Sequence, residues 1–160
     1  MKRGSTHFLR LAIFGLGAIV LALCVFALPE VWRGGSAEFP AASRSVFLIV
    51  IGLYMSAAPF FIALRQALKL LAYIDGNTAF SDASVEALRV IKRCAVVISG
   101  IFIAFVPLLI PIAGADDAPG VVVFGAVIAC APVTVAVFAA LLERLLRDAI
   151  AIKSENDLTV

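Results

Sequence analysis

The sequence predicts an all-α integral membrane protein: a four-helix bundle, N-in/C-in, with helices two, three and four extended into the cytoplasm. Three observations predict it. Hydrophobic residues make up 63% of the 160 and charged residues 15%, against about 45–50% and roughly 25% in an ordinary soluble domain. The charges leave four long uncharged gaps. Lysine and arginine fall almost wholly on alternate connections between those gaps. The same arithmetic excludes a disordered chain, a collagen-like chain and a disulfide scaffold.

The gaps are Leu11 to Pro29, Ser45 to Leu64, Cys94 to Ala115 and Ala118 to Leu142, of 19, 20, 22 and 25 residues. A helix rises 1.5 Å per residue and a hydrocarbon core is about 30 Å thick, so about 20 apolar residues cross it. Each gap is read as a span (about 11–29, 45–64, 94–115 and 118–142) within a single membrane domain, 1–160. The first is read as a retained helix. Its apolar run exceeds a signal-peptide core, no small-residue cleavage site follows it, and Leu23 precedes Cys24 where a lipoprotein signal needs a small residue.

Orientation follows from the basic residues. Segments 1–10, 65–93 and 143–160 hold 11 of the 13 lysines and arginines; the other connections hold only Arg33 and Arg44. The positive-inside rule places the first three segments in the cytoplasm. Trp32, just beyond the first span, falls at headgroup depth on the outer face. The net charge of +2 does not indicate direct nucleic-acid binding; the asymmetry carries the information.

Two outer connections are short. Glu30 to Arg44 carries Gly34-Gly35 and Pro40, expected to interrupt structure. Asp116 to Gly120 reads as a tight polar turn. The spacing from Arg65 to Asn77 matches that from Arg144 to Asn156, but the intervening residues do not support a repeat. On the cytoplasmic side, Leu64, Ala67, Leu68, Leu71 and Ala72 recur at helical spacing, so helix two continues to about Ile74. Asp75-Gly76-Asn77 then turns the chain. Ser81 is the expected N-cap of helix three, with Asp82 in its first turn, and Val85, Leu88 and Ile91 lead into the span. Leu142, Leu145, Leu146, Ala149 and Ile150 form one stripe beyond span four. These extensions cover one another, form a docking platform, or do both.

No Asp, Glu, Lys, Arg or His lies inside a span, which argues against proton-coupled transport and intramembrane proteolysis. Pro59, Pro107, Pro111 and Pro132 fall within spans two, three and four and are read as structural kinks. Ala18/Ala22, Gly52/Ser56, Gly100/Ala104 and Gly125/Ala129 have the small-xxx-small spacing that lets helices approach. Asp75, Asn77 and Glu86 match positions 1, 3 and 12 of a calcium loop, but Ala79 and Phe80 stand where it needs an oxygen ligand and a glycine. Cys24, Cys94, Cys130 and the lone His7 are dispersed, with no metal-site spacing. No nucleophilic constellation, P-loop or dinucleotide fingerprint is present, so neither an enzyme nor a cofactor is expected.

The ending Glu155-Asn156-Asp157-Leu158-Thr159-Val160, four apolar spans, a length near 160 and the segment Tyr73-Ile74-Asp75-Gly76-Asn77-Thr78-Ala79-Phe80-Ser81 resemble domain-of-unknown-function family 2975. That is a group of small four-helix bacterial inner-membrane proteins, and the resemblance covers essentially the whole chain. It implies residence in the bacterial inner membrane. Genes of that family often sit beside one for a small helix-turn-helix regulator of the Xre/Cro type, so it also implies such a regulator as partner. No catalytic residues are established for the family. The function expected is that of a membrane-anchored regulatory partner. Arg65, Lys69, Arg144, Arg147, Glu155, Asn156, Asp157, Leu158 and Val160 are the expected partner-binding residues, and Arg89 helps to set register. The tail 155–160 either meets a sheet edge or groove of the partner or folds onto its own helices. The rival reading is a small oligomeric transporter, pore or lipid-binding protein. Its sign would be a polar path, for which the spans offer only Ser56, Ser99 and Thr134.

Overall fold

The structure is a computed structural model. It describes residues 3–38, 40–115 and 117–158, with side chains over 7–156 of these. Helix α1 (Arg3–Ala22) passes through a π-helical turn, Leu23–Ala27, into α2 (Leu28–Glu38). A 3₁₀ turn, Pro40–Ala42, leads to α3 (Ser43–Asp75), which is followed by α4 (Asp82–Ala115) and α5 (Gly120–Leu158). Apart from Ala118 and Pro119, which precede α5, the four uncharged gaps lie within four rods long and apolar enough to cross a membrane, His7–Glu38, Pro40–Asp75, Asp82–Ala115 and Gly120–Asn156. Large side chains along them face outward. Phe26 and Phe124 are each 73% exposed, a placement tolerable only where lipid covers them.

Packing runs in series. α1 and α2 lie on α3, α3 on α4, and α4 on α5. Among the described residues, neither α1 nor α3 makes an extended contact with α5. The bundle is therefore open along one side, where Leu16, Phe60, Leu64, Ile98, Pro132 and Val135 line an apolar cleft of about 380 Å³.

The first rod departs from the expected interruption at Gly34-Gly35. It stays helical to Glu38, through Gly34-Gly35. The reason for Gly35 is contact: a Cβ there would lie 2.9 Å from Cγ1 of Val46. The glycine lets α2 lie against α3, and that packing holds the helix where propensity alone would not. Trp32 stacks beside Phe47, ring centroids 5.2 Å apart. Below them Leu28, Val46 and Val50 are buried against Leu53 and Ile112.

The π-turn has a sequence cause. A proline inside a helix lacks an N–H, and its ring clashes with the carbonyl four residues back, here that of Val25. The helix widens instead, and the Leu28 N–H reaches back to the Leu23 carbonyl, five residues away. In that register the next carbonyl, that of Cys24, falls to Pro29, which has no N–H to give. The Tyr54 hydroxyl of α3 donates to it at 2.8 Å.

Two of the four small-residue pairs serve contacts within the chain. Gly52 faces the Phe105 ring, with Ser56 buried one turn on; Gly125 faces Leu109, with Ala129 buried. Ala18/Ala22 and Ala104 face outward, and Gly100 has open space beside it. α3, α4 and α5 run on through Pro59, Pro107, Pro111 and Pro132.

Both long hairpin turns close in the same way. At the end of α3 the Asn77 N–H bonds to the Ile74 carbonyl and the Thr78 N–H to that of Tyr73, the paired closure of a Schellman motif. Asn77, not Gly76, takes the left-handed conformation, φ 55°. At the end of α4, Asp117 has φ 49° and the Ala118 N–H returns to the Ala113 carbonyl. Asp116, also assigned to that turn, lies outside the described residues. Ser81 stands at the N-cap of α4: its carbonyl accepts from Ser84 and Val85. Its hydroxyl pairs with that of buried Ser84, 3.3 Å away.

Candidate functional site

The features that remain unexplained by spanning cluster at the basic end, which carries residue 10, the α3–α4 turn and the last turns of α5. There α3, α4 and α5 extend beyond their uncharged runs. Leu71 of α3 and Val85 and Leu88 of α4 are buried, so the extensions do cover one another in part. They do not do so completely. α3 and α5 stand on either side of α4, and between them lies an apolar groove of about 430 Å³. Leu70 and Ile74 form one wall, Leu142, Leu145, Leu146 and Ala149 the other, Leu88 lies between, and Ala79 and Phe80 close the turn end. Phe80 is 58% exposed and Leu145 62%. Four of the five residues of the stripe expected on α5 thus line this groove; Ile150 does not.

Glu143 fixes the angle at which α5 meets α4. It is only 5% exposed. Its Oε2 accepts from Lys92 Nζ at 2.6 Å, and its Oε1 accepts from Arg89 Nε at 3.3 Å and from Arg147. Arg89 also reaches Glu86 on its own helix. The Lys92 ammonium, seconded by Arg89, holds the Glu143 carboxyl below its usual range; burial acts in the opposite direction and loses. A buried carboxylate with three cationic donors is satisfied, and removing its charge would leave the donors facing one another. A second tie joins the first rod to this end: Arg10 of α1 donates to Asp75, the last residue of α3, at 2.9 Å.

The structure divides the residues expected to bind a partner. Arg89 and Arg147 are committed to Glu143. Arg65 and Lys69 are exposed on α3, and Arg65 lines a cleft against α1, away from the groove. Arg144 is exposed on α5. Glu155 and Asn156 are exposed on a helix that continues to Leu158, so the tail is helical there rather than extended. The side chains of Asp157 and Leu158, and all of Val160, lie outside the described residues. Sequence reasoning missed Glu143, Lys92, Phe80 and Tyr54. Glu143 was legible in principle: a single acid opposite Arg89 and Lys92 on an antiparallel neighbour is a natural node.

The three span hydroxyls that could have marked a polar path are turned to their own helices. Ser56 donates to the Leu53 carbonyl, Ser99 to Ala95 and Thr134 to Cys130, at 2.8, 2.7 and 2.9 Å. They do not join into a polar path. Among the described residues no three His, Cys, Asp or Glu side chains converge as a metal site.

Four apolar rods, with the ionic ties between helices gathered at one end, define a polytopic membrane protein. The chain belongs to the family described as Protein of unknown function (DUF2975), whose model matches residues 34–160. It is similar to the Uncharacterized membrane protein YoaS of Bacillus subtilis (strain 168), with 51% identity over 160 residues, all of each chain. No solved structure matches it.

Proposed function

We propose that this protein is a membrane-anchored regulatory partner that holds a small cytosolic DNA-binding regulator of the helix-turn-helix type at its basic end. One observation carries the reading. An apolar groove opens beyond the uncharged runs, between α3 and α5, with Phe80 and Leu145 exposed along it. Outside lipid, such a surface is costly to leave in water and marks a binding face. Its shape suits one apolar stripe of an amphipathic helix laid between two others. On this reading the basic end, with both termini, faces the cytoplasm of a bacterial inner membrane, the orientation that the distribution of lysine and arginine favours. Arg144, Glu155 and Asn156, exposed on the outer turns of α5, would contribute polar contacts beside the groove. The protein acts by binding, not by catalysis: a membrane-borne signal alters the seating of α5 on α4, and the affinity of the groove changes with it.

The test is photo-crosslinking in native cells from a reactive side chain placed at Leu145, with the same group at Phe124 as control. Recovery of a small helix-turn-helix protein from Leu145 alone, lost on Phe80→Glu, supports the reading. Recovery at Leu145 of lipid only, or of the chain itself only, overturns it.

A further inference from the structure

A second cleft, independent of the docking groove, lies between α1 and α3. Gly17 permits it: a Cβ there would sit 2.8 Å from Cδ2 of Leu64, so the two helices touch at this point. From that contact outward Ile13, Phe14, Leu21, Phe61 and Leu64 line an apolar trough of about 380 Å³, and Arg65 stands on its rim. The trough follows α1 from Ile13 to Leu21, a rise of about 12 Å, most of the roughly 15 Å depth of one leaflet. It opens sideways from spanning helices, where the surrounding medium is lipid.

The charges at its mouth are unmatched. Arg10 has Asp75, and Arg89, Lys92 and Arg147 have Glu143. Among the described residues Arg65, and Lys69 one turn further along the same face of α3, have no carboxylate. Arg44, Arg93, Arg144 and Lys153 also lack one, but none of them lines this trough. A guanidinium presents five donors in a planar fork that matches a phosphate, and it stays charged beside an apolar surface. An apolar trough most of one leaflet deep, with uncompensated Arg65 on its rim and Lys69 one turn beyond, has the chemistry of one class of molecule.

We propose that the α1–α3 cleft binds an anionic phospholipid, with one acyl chain in the trough and the phosphate on Arg65 and Lys69. Chain and phosphate are recognised together, so neither a zwitterionic lipid nor a soluble phosphate meets the whole site. Basic sites between spanning helices select anionic headgroups in this way.

The full chain, purified in detergent, is titrated with 1-palmitoyl-2-oleoyl-phosphatidylglycerol and, separately, with the phosphatidylcholine of identical chains. Bound lipid is counted by native mass spectrometry. Phosphatidylglycerol is expected to bind more tightly. Arg65→Gln should weaken it about fivefold and leave phosphatidylcholine unchanged. Ala18→Phe, which adds a ring in the trough at an exposed position, should weaken both lipids. Arg144→Gln should weaken neither. Equal binding of the two lipids overturns the proposal. So does an equal loss from Arg65→Gln and Arg144→Gln, which would mean unspecific charge attraction, and so does displacement of the lipid by glycerol 3-phosphate.

Discussion

The Tyr54 hydroxyl supplies the hydrogen bond that Pro29 denies to Cys24. The donor is on α3, the orphaned carbonyl is in the π-turn of the first rod, and they meet at 2.8 Å. A helix defect caused by one residue is thereby repaired by a different helix. In hydrocarbon no water is present to do it.

Tyr54→Phe should destabilise the protein by about 1 kcal/mol, the usual size of an interhelical hydrogen bond in a membrane. Thermal unfolding in detergent reads it. Combining Tyr54→Phe with Pro29→Ala tests the cause. With an N–H restored at residue 29, the double variant should lose much less than Tyr54→Phe alone; an equal loss would show that Tyr54 matters for packing rather than for this bond.

Glu143→Gln keeps the acceptor and removes the charge. It should cost about 1–2 kcal/mol, below the range for fully buried pairs because Arg89 and Lys92 are a third exposed and can rehydrate. The pH dependence has a definite sign. The carboxyl is held below its usual range in the folded protein, so the unfolded chain takes up its proton first as pH falls. The stabilisation is complete above the ordinary carboxylate range and is lost as pH drops through the depressed pKa. Melting temperature followed from about pH 7 to about pH 3 should fall less steeply in Glu143→Gln than in the parent.

Asn77→Val should destabilise by about 1–2 kcal/mol, because a β-branched residue is strained at φ 55°. Asn77→Gly should match the parent or exceed it by a few tenths of a kcal/mol. The pair, compared by chemical unfolding in micelles, separates backbone conformation from any side-chain role of the asparagine.

Deletion of Glu155–Val160 should leave the melting temperature within about 1 °C of the parent, since Glu155 and Asn156 are exposed on the last turns of α5. On the docking reading it should also release the regulator from membranes. A truncated chain that still retains the regulator would remove the tail from the binding surface.

The spans were legible because twenty consecutive uncharged residues admit few alternatives, and the hairpin turns because Asn77 and Asp117 sit where left-handed residues end helices. Gly34-Gly35 misled because a tertiary contact, Gly35 on Val46, outweighed propensity. The stripe from Leu142 to Ala149 was visible as periodicity, but its opposite wall was not. Periodicity shows which face of a helix is apolar, not that a third helix will hold two such faces apart. Arg65 and Arg147 looked equivalent as basic residues. Only the placement of Glu143 between helices separates the one that is engaged from the one that is not.

The serial order of packing also bears on how the chain is built. Each rod rests on the one synthesised just before it: α3 on the first rod, α4 on α3, α5 on α4. No rod must wait in the bilayer for a distant part of the chain to emerge. Assembly can proceed stepwise, with each hairpin closing before the next begins, and the short sequence separations keep the entropic cost of each step small. Glu143 arrives last and finds Lys92 and Arg89 already in place.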